Sequence, residues 1–370
     1  MHASRRRGNL PGETTPLVGR LTEVAAVEKL LGRSRLVTLT GAGGAGKTRV
    51  ALRAAAELRD TGGAWLVPAP QEAGALPYAI ASALFPAASA GTTIEGLARR
   101  LAEREALLVL DGGDHLMEAC AAVVTALLAA APGLRVLATC RRPLRCRGER
   151  VLPVPPLPLE EARVLFAERA VAAVPGCAVA GLDEQAVPGC AVAGLDEQAV
   201  LRVCRRLEGL PLAVELAAAR LRELPVEVLA RRLDDHFSAS DHHAYDGSSG
   251  GRQVLEQPGE HALRATIAWT HRLCTTAERL LWARASVFTG SFDAVAAKEV
   301  CGDDRLPTWQ LPQLLESLAD RAILVREPGE RYRMPGPIHA FGAERLKDLG
   351  QDERLRRRRE ALTLTDGAAG

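Results

Sequence analysis

Arg35-Leu36-Val37-Thr38-Leu39-Thr40-Gly41-Ala42-Gly43-Gly44-Ala45-Gly46-Lys47-Thr48 is the stretch that decides the fold. The first six residues read as a short buried strand. The next eight match G-x-x-x-x-G-K-[ST], and from Lys47 the apolar residues Val50, Ala51, Ala54, Ala55 and Leu58 recur at helical spacing. Strand, glycine-rich loop and helix in that order make a phosphate site. Glycines let successive backbone N–H groups turn toward phosphate oxygens, and the helix that follows adds its positive end. Lys47 is placed to reach the β- and γ-phosphates, and the Thr48 hydroxyl to ligate Mg2+. Gly41, Ala42, Gly43, Gly44, Ala45, Gly46, Lys47 and Thr48, with Arg49 beside them, are therefore the candidate nucleotide-binding residues, and ATP is the expected ligand.

Working outward, a phosphate loop alone cannot hold the metal. A second strand should end in an acid, and Leu107-Leu-Val-Leu-Asp111 supplies one, so Asp111 is the second candidate magnesium residue. Gly112 follows it, with Asp114 and Glu118 beyond, and no carboxylate stands next to Asp111 to orient a water; fast turnover is not expected. Residues 64–67, 134–138 and 151–154 are further short apolar runs separated by helix-forming stretches, the writing of a parallel α/β sheet. Residues 138–141, Ala-Thr-Cys-Arg, place Thr139 and Arg141 at the carboxyl edge of that sheet, where Arg141 is the candidate γ-phosphate sensor. Arg142, Arg145, Arg147 and Arg150 follow it closely as surface charge.

The reading divides the chain into a disordered tail at 1–15, a P-loop nucleotide-binding domain at 16–155, a small helical domain at 156–235, a flexible linker at 236–260, a winged-helix domain at 261–346 and a basic tail at 347–370. The winged helix rests on helical stretches followed by two strand-like segments, 322–326 and 331–334, joined at Glu327-Pro-Gly-Glu330. Residues 174–186 recur without change as 187–199, a duplication too short to be a solenoid unit. In 370 residues, 47 basic and 45 acidic side chains leave a net charge of +2, which excludes a global field drawing the chain onto nucleic acid. Only Lys29, Lys47, Lys298 and Lys347 are lysines, so Arg is used almost everywhere. The eight cysteines form no C-x-x-C pair, so no zinc ribbon is written here. No apolar run of spanning length stands out. A cytoplasmic protein with no membrane partner is the expectation.

Taken in order, Leu17-Val18-Gly19-Arg20, the phosphate loop, the strand ending at Asp111, Ala-Thr-Cys-Arg141 and Gly209-Leu-Pro211-Leu-Ala213 resemble the NB-ARC-type signal-transduction ATPases (STAND class) of bacterial transcriptional regulators. The resemblance spans about residues 9–346. It implies that Val18, Gly19 and Arg20 pack at the adenine, that Pro211 closes the site, and that Arg141 is the sensor. It also implies an ATP/ADP switch with slow or no hydrolysis, in which the helical and winged-helix domains close over ADP and open with ATP, often to self-associate. Two departures stand out. Gly112-Gly113-Asp114 replaces the usual Asn-Cys-Glu after the acidic strand end, and Pro335 and Pro337 interrupt the strand-to-helix junction of the winged helix. The DNA-binding and repeat modules that often flank such regulators are not visible here. Two other function classes stay open: a DNA-binding transcription factor acting through the winged helix or the Arg354–359 run, and a metabolic ATPase with rapid turnover.

Overall fold

The expected strands pair as a five-stranded parallel sheet in the order β2-β3-β4-β1-β5, in a computed structural model that describes residues 8–58, 62–70, 72–85, 92–174, 195–243 and 260–366. The chain divides into two units, Met1–Pro155 and Pro156–Gly370. The first contains α1 (Leu21–Leu31), β1 (Leu36–Thr40), α2 (Lys47–Glu57), β2 (Ala64–Pro68), α3 (Leu76–Leu84), α4 (Ile94–Leu101), β3 (Ala106–Asp111), α5 (Met117–Ala130), β4 (Leu134–Thr139) and β5 (Arg150–Pro153). Register places Leu36 beside Val136 and Val37 between Leu137 and Arg150. Side chains alternate across a strand, so Leu36, Leu108, Leu110, Val136 and Ala138 face one core shared with α3, α4 and α5. Helices α1 and α2 pack against the sheet as well, burying Val24, Val27 and Leu31 and then Val50, Ala51, Ala54 and Ala55.

Two sequence expectations change in this unit. Gly113–Ala130 is long and apolar enough to cross a membrane by length and composition. In the fold its helix α5 turns Cys120, Val123, Val124 and Leu127 into the core. Residues 8–15 of the expected disordered tail are ordered: Gly8 bridges Ala64, and the Asn9 side-chain amide both donates to the Leu66 carbonyl (3.0 Å) and accepts from the Leu66 N–H (2.7 Å). One short amide thereby imitates a strand residue, a local pairing that periodicity does not signal.

The second unit contains α6 (Leu159–Ala173), α7 (Glu197–Arg206), α8 (Pro211–Ala218), α9 (Val226–His243), α10 (Glu260–Leu273), α11 (Thr276–Ala285), β6 (Phe292–Asp293), α12 (Ala294–Cys301), α13 (Leu311–Asp320), β7 (Val325–Glu327), β8 (Arg331–Arg333), α14 (Gly336–Asp348) and α15 (Asp352–Asp366). The expected linker at 236–260 begins instead as the last turns of α9, and 244–259 lie outside the described residues. Most of the duplication also lies outside them; its last residues open α7, whose N-cap Asp196 accepts from the Gln198 N–H (2.9 Å). The expected basic tail is helix α15, which packs on α12 and donates from Arg358 to the Gly302 carbonyl (2.9 Å).

The β7–β8 hairpin gains a third strand, β6, in the order β6-β8-β7. Pro335 and Pro337 do not distort the junction. They sit at the N-cap and in the first turn of α14, where a missing N–H costs nothing. Trp282 is fully buried and donates to the Ile338 carbonyl (3.1 Å), while Gly342 lies against its ring. His271 meets Trp282 and Phe341 edge-on, each 5.3 Å away between ring centroids. Arg220, also buried, reaches the Thr270 carbonyl (3.2 Å) and Glu223 (3.3 Å), tying the first helices of this unit to α10.

Candidate functional site

Gly41 leaves β1 with φ 145°, and a Cβ there would lie 2.4 Å from the Val154 carbonyl oxygen. Only glycine satisfies both conditions, and its presence lets the loop turn tightly beside the end of β5. The loop then enters α2 through Gly46, a left-handed N-cap, so the first N–H groups of α2 have no side-chain cap and face the loop. Lys47 bends back into it: its ammonium donates to the carbonyls of Gly41 (2.9 Å) and Ala42 (2.8 Å). Burial lowers the Lys47 pKa from its ordinary value, opposed by the nearby carboxylates Asp114 and Asp111 and reinforced by Arg141.

The register carries Asp111 to the same level as Thr139 at the carboxyl end of the sheet. Its Oδ1 accepts from the hydroxyls of Thr48 (2.6 Å) and Thr139 (2.5 Å), and the Thr139 hydroxyl accepts from the Gly112 N–H (3.1 Å). Thr139 is buried, 2% exposed, so the Asp111 carboxylate is held from beneath in one orientation. The donor set fits magnesium shared with phosphate oxygens: one hydroxyl and one carboxylate are adjacent. Among the described residues no group of three or more His, Cys, Asp or Glu offers an all-protein cage.

Asp114, which the sequence places only beyond the acidic strand, belongs to the site. Gly112 has φ 75°, and the 3-10 turn Gly113–Leu116 that follows brings Asp114 back to the strand edge. There its carboxylate accepts the backbone N–H of Arg141 and lies 4.0 Å from the Arg141 Nε. The glycine pair at 112–113 is the signal that could have found it, because a left-handed residue reverses the chain. Gly113 also sits against Cys120 and Cys140, whose thiols burial pushes up to about 11 and about 12. Those thiols stay protonated and serve packing.

The structure brings Lys47, Thr48, Asp111 and Arg141 to one edge of the sheet in the first unit. Val18 and Gly19 are half-buried, and Arg20 is buried at 3% exposure in a left-handed conformation with φ 68°. Its guanidinium donates to the loop carbonyl of Ala45 (3.1 Å), to the Pro155 carbonyl (2.5 Å) and to Glu23 (2.5 Å). Arg49 similarly donates to the carbonyls of Thr15 (2.6 Å) and Pro16 (2.7 Å). Both arginine side chains therefore bind the N-terminal segment to the loop and its helix. A cavity of about 370 Å3 lies along that segment, between Pro16, Leu17, Gly19 and the α2 residues Arg53 and Glu57. Six and ten residues beyond Lys47, these put it roughly 9–15 Å down the helix from the phosphate loop. Pro211 opens α8 in the second unit.

No protein-family model matches the chain. Among solved structures, it resembles a Signal Transduction ATPase with Numerous Domains (STAND) protein with a tetratricopeptide repeat sensor from Pyrococcus horikoshii, with a TM-score of 0.56 at 14% identity over 96% of this chain and 46% of that one. That likeness, with the parallel sheet, shows a P-loop NTPase-like fold. The "Putative HTH-type transcriptional regulator Rv0890c" of Mycobacterium tuberculosis (strain ATCC 25618 / H37Rv) is 36% identical over 90% of the chain. The chain spans 36% of that relative's length. A second relative from the same strain, "Uncharacterized protein Rv0894", is 34% identical and is covered over 88% of its own length by 98% of this chain. By that match, the chain belongs to the family of Rv0894.

Proposed function

We propose that the chain is an ATP/ADP-binding signal-transduction switch of the NB-ARC/STAND type, with slow or no hydrolysis, serving transcriptional control. The observation that carries this reading is the Asp111 carboxylate fixed between the Thr48 and Thr139 hydroxyls at the strand end, beside Lys47 and the glycine-rich loop. Lys47 binds the β- and γ-phosphates, Thr48 and Asp111 hold magnesium, and Arg141 senses the γ-phosphate. Magnesium, when bound, neutralises charge between phosphate oxygens. Slow turnover is supported at Gly112 and Gly113, which carry no carboxylate, and at Asp114, which is engaged with the Arg141 backbone. Within the second unit, helices α6 to α9 support an ARC-like helical domain at 156–235, and the β6-β8-β7 sheet, which packs on α12 and donates from Tyr332 to Glu316 of α13, supports a winged helix at 261–346. The likeness to the HTH-type transcriptional regulator Rv0890c supports placing the switch in transcription.

The test is equilibrium binding of fluorescent ADP and ATP analogues to the purified chain and to Lys47→Ala, with and without magnesium, together with phosphate release at saturating ATP. Magnesium-dependent binding that weakens at least tenfold in the variant, about 1.4 kcal/mol, is expected. Absent binding, or binding indifferent to the substitution, overturns the nucleotide site. Rapid multiple turnover overturns the switch and favours a metabolic ATPase.

A further inference from the structure

The amino ends of β1, β4 and β5 form the pole of the sheet away from the phosphate loop. Leu36 and Thr40 are the two ends of β1, roughly 13 Å apart. Around Leu36 lies a cavity of about 700 Å3 whose lining includes Arg33, Arg35, Arg135, Arg147 and Arg150 and no carboxylate. That volume matches sites for nucleotide-sized ligands. In a chain of net charge +2, five guanidinium groups around one cavity are a local departure that the phosphate-loop chemistry does not use.

The backbone presenting these groups is fixed. Glu149, the nearest acid in sequence, spends its carboxylate on the N–H groups of Leu144 (2.9 Å) and Arg145 (2.7 Å), which closes the turn that holds Arg147. Ser34 donates to the Gly148 carbonyl (3.0 Å), joining that turn to the segment carrying Arg33 and Arg35. Arg35 donates to the carbonyls of Leu128 (2.9 Å) and Ala131 (3.1 Å) at the end of α5. Arg33, Arg135, Arg147 and Arg150 have no ion pair among the described residues. Register sets Arg135 and Arg150 on one face, since Leu137, two residues after Arg135, is level with Val37 and Arg150. They stand roughly 10 Å apart across the sheet and roughly 7 Å along it. That separation suits an anion with several oxygens, which can meet more than one of the planar donor forks of arginine at once.

We propose that this cavity is a second anion site, specific for a small polyphosphate: a free inorganic chain or the phosphates of a nucleoside polyphosphate. It gives the first unit a separate input at the opposite end of the sheet from Lys47. A nucleic-acid backbone is the competing occupant, and the confinement of these arginines to one cavity in a near-neutral chain favours the smaller ligand.

The test is calorimetric titration of the full chain carrying Lys47→Ala, in EDTA, with inorganic tripolyphosphate at graded salt. That background and the chelator silence the phosphate loop, so the outcome does not depend on the nucleotide reading. Binding at one site is expected, falling with salt and weakened at least tenfold in both Arg135→Gln/Arg150→Gln and Arg33→Gln/Arg147→Gln. The second pair lies outside the sheet and keeps the test open if the first pair misfolds. Adenosine tetraphosphate binding as well as tripolyphosphate identifies the phosphates as the recognised group; tighter binding of either adds only which source is preferred. No saturable binding, binding unchanged in a folded double variant, or single-stranded DNA binding that tripolyphosphate does not displace overturns the proposal.

Discussion

Replacing Arg20 with Met keeps the aliphatic stem but removes every donor that the guanidinium offers. The side chain is 2% exposed, so the lost groups are not replaced by water. Two charge-assisted bonds go, to the carbonyls of Ala45 and Pro155, each contributing roughly 1.5–3 kcal/mol. The Glu23 pair adds less, because it lies closer to solvent. Against this, Arg20 Nε is buried with no partner among the described residues, and removing that desolvated charge returns part of the cost. The net is about 3 kcal/mol of destabilisation, which for a unit of this size lowers the melting temperature by roughly 6–12 °C. Freed of its hold at Ala45, the phosphate loop also widens, so ADP affinity falls in Arg20→Met and recovers in part in Arg20→Lys, which keeps the charge and a single donor group. Thermal denaturation followed by circular dichroism, paired with fluorescent-ADP binding at a temperature where each variant is folded, measures both. A Met variant that melts with the parent and binds ADP equally well would refute the claim that Arg20 braces the loop.

Two further outcomes follow from the second unit. Burial pushes the His271 pKa down to about 4, with Arg279 and Arg345 adding to it, so the folded state holds the ring neutral while the unfolded chain protonates near its usual 6.5. Stability from this group is therefore complete above about pH 6.5, declines as pH falls toward 4 and is flat below; urea denaturation across that range should show the decline in the parent and lose it in His271→Gln, and parallel curves would refute it. Gly342→Ala places a Cβ 2.9 Å from the Trp282 Cδ1 and 3.1 Å from the Ser286 Cβ. It should cost about 1–3 kcal/mol and change the near-ultraviolet circular dichroism of Trp282, whereas an unchanged melting temperature would show that the ring has room to move.

The parts legible in the sequence were those written as period or motif. The 35–48 stretch specified strand, loop and helix because each element there follows its own spacing, and Asp111 was found because an apolar strand must end where the metal would sit. Asp114 was not found, since its position depends on a left-handed turn at Gly112 rather than on distance along the chain. The adenine role of Arg20 comes from the family resemblance alone; its bonds to the Ala45 and Pro155 carbonyls depend on a left-handed backbone that no propensity encodes. The proline pair at 335 and 337 read as a disturbance because proline breaks helices, yet the same chemistry starts one. Strand β6 has two residues and pairs far along the chain, too short to show alternation.

The amide of Asn9 bears on how the molecule behaves in a crowd. Strand β2 is the outer member of the sheet on that side, and an uncovered outer strand is a template onto which strands of other molecules can add. Asn9 occupies both groups of Leu66, and Gly8 bridges Ala64. A glycine and one short polar side chain thus act as a stopper. They fill the hydrogen-bonding positions at that margin while offering little apolar surface of their own on which a further strand can grow.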